Sequence, residues 1–247
     1  MNLPSPLSFQ DNGRRDSAWA RAASYEKEER PMRAVRKIVV KGAVDVVFFR
    51  APVAQLVVAG DNLEAIRDTK TRFESSKLII EREGVCISGS GGSIHVAGGT
   101  IHVGGRRGGV TMQFNGPVGS VVVGQGHAVV GIALPEAPSI RIKGSGDVTL
   151  YDLQQRMLEV SIKGSGDITA FGEVEHLDAE VAGSGDVDVS ELVAMSAGLS
   201  VSGSGEIDAF VSQSVSARVT GSGDIKVRGN PSIRGRSVTG SGSIKVK

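Results

Sequence analysis

Aromatic side chains are scarce in this chain: one Trp, two Tyr and seven Phe among 247 residues. That excludes a large aromatic core and leaves few rings to stack on sugars. Cys86 stands alone, so there is no intrachain disulfide framework. Its apolar strand context makes it a small core residue. Lys and Arg number 28 against 27 Asp and Glu, a net charge of +1. No global field draws the chain to nucleic acid, and Arg106-Arg107 is far too short for a nucleic-acid stripe. No apolar run reaches the length of a membrane span. Met1 to Arg30 is polar, carries both charges and lacks the apolar core of a secretory signal. The expectation from that stretch is a cytoplasmic protein.

Glycine, by contrast, is abundant, with 34 residues, and much of it falls on a fixed period. Gly144-Ser145-Gly146-Asp147, Gly164-Ser165-Gly166-Asp167, Gly183-Ser184-Gly185-Asp186, Gly203-Ser204-Gly205-Glu206, Gly221-Ser222-Gly223-Asp224 and Gly240-Ser241-Gly242-Ser243 follow one another. The steps are 20, 19, 20, 18 and 19 residues, and a degenerate copy, Gly124-Gln125-Gly126-His127, lies 20 residues upstream. Such a period signals a stacked repeat architecture. Apolar columns flank the motif. Ile142, Ile162, Val181, Val201, Val219 and Val238 stand two residues before it; Val148, Ile168, Val187, Ile207, Ile225 and Ile244 follow it. Polar residues such as Lys143, Thr149, Thr169 and Asp188 alternate with them. Strict alternation is the mark of a strand with one buried face. The expected fold is all-β, a right-handed parallel β-helix (solenoid) with about 19–20 residues per coil. Both glycines serve each corner, because glycine turns the chain sharply at no steric cost.

The organisation expected is threefold. Residues 1–33 form a polar tail with one short helix, begun at Asp16 or Ser17 and stopped by Pro31, docked as a cap or left as an arm. Residues 34–123 form irregular opening coils, with a Gly-rich segment at 88–116. Residues 124–247 form the regular solenoid, and Lys245 and Lys247 guard its last strand against edge pairing.

The strand through Val40, Gly42, Ala43, Val44, Asp45 and Val46, the stretch Val58 to Asn62, the strand Leu78-Ile79-Ile80 and the Gly-Ser-Gly-Asp ladder together resemble the head GIN domain family. These are bacterial proteins labelled putative auto-transporter adhesins. The resemblance covers residues 34–247. It implies a right-handed β-helix, a place at the cell surface and no catalytic residues. Members of this family usually begin with an export signal, which the first residues here do not show.

Several residues are candidate sites. Asp147, Asp167, Asp186, Glu206 and Asp224 form an acidic column whose neighbours repel by about 1 kcal/mol in water. Hydrogen bonds from turn N–H groups would offset that; calcium is the alternative. Calcium-binding solenoids of the nonapeptide type have a shorter period, and place a residue between the last glycine and the aspartate. Two glycines, Gly98-Gly99, predict a hairpin that sets His95 opposite His102, a pair suited to a transition metal such as zinc, with His127 in reach. A solvent-facing pair is the simpler reading. Asp186 with Asp188, and Glu206 with Asp208, invite comparison with glycosidases, but nothing marks a groove around them. No cofactor and no enzyme are expected. The reading is a non-enzymatic, adhesin-like module that contacts a protein or glycan surface. A self-assembling intracellular scaffold and a polysaccharide-active enzyme are the alternatives, and homo-oligomerisation stays open.

Overall fold

The alternating stretches are strands that stack as coils in the computed structural model, which describes residues 18–82, 99–103, 110–114 and 126–247. A short helix, α1 (Ala18–Arg21), leads to β1 (Glu26–Arg30), β2 (Lys37–Gly42), β3 (Asp45–Arg50) and β4 (Gln55–Gly60). Helix α2 (Leu63–Asp68) and the hairpin of β5 (Thr69–Glu74) and β6 (Lys77–Arg82) follow. β7 (Gly99–Val103) and β8 (Val110–Phe114) pair antiparallel as a separate sheet. Then come β9 (Ala128–Leu134), β10 (Ser139–Gly144), β11 (Val148–Gly164), β12 (Ile168–Gly183), β13 (Val187–Gly203), β14 (Glu206–Gly221), β15 (Asp224–Arg228), β16 (Ser232–Gly240) and β17 (Ser243–Val246).

Successive coils pair in parallel. Val148 lies beside Ile168, Ile168 beside Val187, Val187 beside Ile207, Ile207 beside Ile225, and Ile225 beside Ile244. This is the apolar column that follows each Gly-Ser-Gly-Asp corner, and every member is buried. The column before each corner is buried from Ile142 to Val219, and only Val238, in the last coil, is 40% exposed. One aliphatic core runs from Ile38 to Ile244. The protein is thus a parallel β-solenoid.

The two glycines of a corner differ in backbone conformation. Gly164 has φ +150°, a conformation that L side chains rarely adopt. Gly166 has no such φ, but its position for a Cβ falls on the carbonyl oxygen of Gly146 in the coil above. The first glycine makes the turn, and both let coils approach, since a Cβ on Gly164 would likewise fall on the carbonyl oxygen of Gly144.

Register joins parts of the chain that are far apart in sequence. β2 stacks on β10, and β3 on β11, so Gly42 sits opposite Gly144 and Val46 opposite Val148. Gly42-Ala43-Val44-Asp45 is therefore a corner of the solenoid, within the stretch expected to hold irregular opening coils. Above it the stack closes with antiparallel strands, β5 on β6 along one wall and β1 on β4 on β9 along another. α2 plugs the core there, with Ala65 and Ile66 buried. The Asn62 side chain caps α2 by accepting the Ala65 N–H at 2.8 Å. The Arg30 guanidinium donates to the carbonyls of Ile66 and Thr69, at 2.9 and 2.5 Å.

The N-terminal segment is a strap along a side wall. The helix ends at Arg21, earlier than Pro31 alone predicts, and residues 26–30 are strand β1. Trp19 accounts for this. Its ring lies over Gly131, where a Cβ would strike it, and meets Phe49 edge-on at 6.4 Å. Trp19 and Ala22 bury against Val47, Val57, Ala59 and Val129, the outward face of the first coils. Phe49, Tyr151 and Phe171 continue from coil to coil as a stacked column, with centroids 5.4 and 5.3 Å apart.

Candidate functional site

The acidic column is a hydrogen-bonded ladder between coils. Asp45 Oδ1 accepts the Asp147 N–H at 3.3 Å, Asp147 that of Asp167 at 3.0 Å, and Asp167 that of Asp186 at 2.9 Å. Asp186 accepts from Glu206 at 2.7 Å, and Asp224 from Ser243 at 2.8 Å. Charge-assisted bonds of this kind offset the repulsion of stacked carboxylates. The one break has a cause. Glutamate is a methylene longer, and Glu206 turns aside to accept from Lys226 Nζ at 2.6 Å, while the Asp224 N–H goes to the Gly205 carbonyl. Among the described residues no group of three or more His, Cys, Asp and Glu is gathered as a metal site.

Position within the ladder sets each carboxyl's proton affinity. Burial raises Asp147 above the ordinary 3.8, against the N–H of Asp167, and the nearby Asp45 charge adds to the rise. Hydrogen bonds from the Ser243 hydroxyl and N–H lower Asp224. A raised carboxyl costs stability once pH climbs through its folded value. A lowered one contributes stability above its unfolded value and loses it as pH falls through the folded value. Asp147→Asn keeps an acceptor for Asp167 and sheds that cost, so its melting temperature at pH 7 exceeds the parent's. Asp224→Asn melts below the parent at pH 7. In thermal melts the Asp147 difference shrinks as pH falls from its raised value toward 3.8, and the Asp224 difference shrinks only below 3.8. The reverse order at pH 7 would contradict this account.

The carboxylate pairs each have separate partners. Asp208 is held by Arg228 at 2.7 Å, Glu206 by Lys226, and Asp188 by the N–H and hydroxyl of Ser190. Of the candidate histidines, His102 lies in β7 opposite Thr111, and Gly99 belongs to that strand. His95, Cys86 and Arg106-Arg107 lie outside the described residues. The sequence reading missed a contact between His176 Nδ1 and the Ser196 hydroxyl at 2.9 Å, on adjacent coils.

It also missed a groove. The third wall of the coils, between the two that meet at the glycine corner, holds a depression of about 400 Å³. The loop between β9 and β10 stands over one side. Gln155 pins it, accepting the Ala137 N–H at 2.8 Å and donating to the Ala137 carbonyl at 3.1 Å. That places Glu136 on the rim, with Glu173 and Glu175 from β12 and with Val193 and Met195 from β13. Val193 and Met195 are 41% and 42% exposed. One signal for this was legible: Leu192-Val193-Ala194-Met195 puts apolar residues at outward positions that alternation reserves for polar ones.

Solved structures share the architecture. A putative adhesin from Bacteroides fragilis NCTC 9343 is similar with a TM-score of 0.62 and 19% identity, over 90% of this chain and 96% of that one. A putative lipid binding protein from Parabacteroides distasonis ATCC 8503 is similar with a TM-score of 0.52 and 20% identity, over 90% and 96% of the chains. A putative adhesin from the same organism follows at 0.50 and 15%, over the same shares. At these identities the likeness shows the fold. No curated protein matches the chain. Among the described residues no helix is long and apolar enough to cross a membrane. Residues 35–231 match the family described as putative auto-transporter adhesin, head GIN domain, and with most of its length matched, the chain belongs to that family.

Proposed function

We propose that the chain is a non-enzymatic binding module, adhesin-like, that holds a protein or glycan surface through the walls of its solenoid. The observation that carries this reading is the closed first end of the stack together with the charge on its last coil. At the first end α2 fills the core and Arg30 spans it. At the other end Arg236, in register with Ala217 of the core, donates to the Ile244 carbonyl at 2.7 Å. Charged side chains on terminal strands oppose further strand addition. End-to-end scaffolding is thereby disfavoured, and the flanks are left for recognition. The engagement of Glu206 and Asp208 by the neighbouring coil, and of Asp188 by Ser190 on its own strand, supports a structural role for them over a catalytic one. The family description and the names of the similar structures point the same way.

The test is retention of beads coated with the full chain on surfaces bearing proteins or glycans, with the wash monitored for released sugar. Retention on at least one surface, with no release, is expected. Release of sugar that Asp208→Asn abolishes would replace this reading with an enzyme.

A further inference from the structure

We propose that the groove on the third wall is a docking site for a cationic, apolar-anchored segment of another protein. This rests on the binding-module reading and names the kind of partner. Three observations converge on it. The groove is concave, unlike the flat walls beside the corners, because the pinned loop rises above β12 and the outward residues of β13 rise below it. Its lower lip is apolar: Val193 and Met195 are both more than two-fifths exposed. Exposed apolar residues gathered at a concavity mark interaction sites, and methionine adapts its shape to a partner.

Charge specifies the occupant. Glu136, Glu173 and Glu175 ring the groove, with Arg156 as the cation among them. Arg156 pairs with Glu175 at 3.5 Å, both being well exposed. Glu136 and Glu173 are left without an ion-pair partner among the described residues. A partner that places an aliphatic side chain against Val193 and Met195 and lysines or arginines against Glu136 and Glu173 satisfies both features, the apolar contact giving affinity and the charges register. An anionic ligand would meet repulsion there.

The experiment uses the full chain and three synthetic peptides of equal length, measured by fluorescence anisotropy. One alternates lysine with leucine, one lysine with serine, and one glutamate with leucine. The lysine–leucine peptide is expected to bind saturably, at least about tenfold tighter than the other two. The double variants Glu136→Lys/Glu173→Lys and Val193→Ser/Met195→Ser, which change exposed side chains and are checked by their melting temperatures, each weaken it at least about tenfold. Lys143→Glu/Lys163→Glu, on another wall, leaves it unchanged. Equal binding of the lysine–serine peptide, undiminished binding to the groove variants, or no saturable binding up to about 1 mM overturns the proposal. A concentration-dependent dimer broken by Glu136→Lys/Glu173→Lys also overturns it, by placing a second copy in the groove. Bead retention that survives in the groove variants leaves the binding module standing and removes only this site.

Discussion

Gly166→Ala lowers the melting temperature by roughly 2–12 °C, whereas Gly198→Ala leaves it unchanged or raises it by about 1–4 °C. Both substitutions add one methyl group to a glycine of the same solenoid. At Gly166 the new Cβ falls on the carbonyl oxygen of Gly146, and the carbon behind it lies within 3.1 Å. That obstacle is backbone, fixed by the parallel ladder of the coil above, and it cannot swing aside as a side-chain end would. Coils must part locally, breaking inter-coil hydrogen bonds such as Gly166 N–H to the Gly144 carbonyl at 3.2 Å. Overpacking of this kind costs about 1–3 kcal/mol. At Gly198 the same methyl meets nothing closer than Asp178 Oδ1 at 3.6 Å. There alanine only removes freedom from the unfolded chain, a gain of about 0.4–1 kcal/mol. Thermal melts of the two variants beside the parent decide the matter. Equal effects would mean that the corner glycines serve the turn alone and that close coil approach has been misread.

Trp19→Ala releases the N-terminal strap. The indole lies over Gly131 and against Phe49, and Lys27 Nζ lies 5.9 Å from its ring. Truncating a buried tryptophan costs about 3–5 kcal/mol. Among the described strands β1 pairs with β4, its side chains are mostly exposed, and beyond that pairing and the Arg30 hydrogen bonds to Ile66 and Thr69 the indole is the largest buried side chain of residues 18–30. The cost is therefore met by local opening, with the stacked coils intact. Limited trypsin digestion is expected to cut after Arg21 or Lys27 at least about tenfold faster than in the parent, leaving a resistant fragment. An unchanged digestion rate would show that β1 is anchored without the indole.

How much of this was legible in the sequence follows from where the interactions lie. The repeat declared the coil length, and the columns through Ile162 and Ile168 declared the core, because alternation on a period reflects burial directly. The corner at Gly42 was harder to see. It keeps the Gly and Asp of the motif but reads Gly42-Ala43-Val44-Asp45, and it lies a long insertion away from its neighbour Gly144. Only pairing register reveals that they stack. The ladder of carboxylates was foreseen as hydrogen bonding to turn N–H groups, but each bond runs to the next coil, a direction that local turn chemistry does not contain. The strap was read as a longer helix because the burial of Trp19 is tertiary. The groove depends on Gln155 holding a loop from the preceding coil, so its only trace in the sequence was the run Leu192-Val193-Ala194-Met195.

The most direct test of a solenoid that binds through its walls is a side-by-side retention measurement. Beads carrying the full chain and beads carrying Glu136→Lys/Glu173→Lys are passed over the same protein-coated and glycan-coated surfaces. The account predicts that parent beads are held on a protein surface and that the variant beads are washed away. Parent beads that are held nowhere would contradict it.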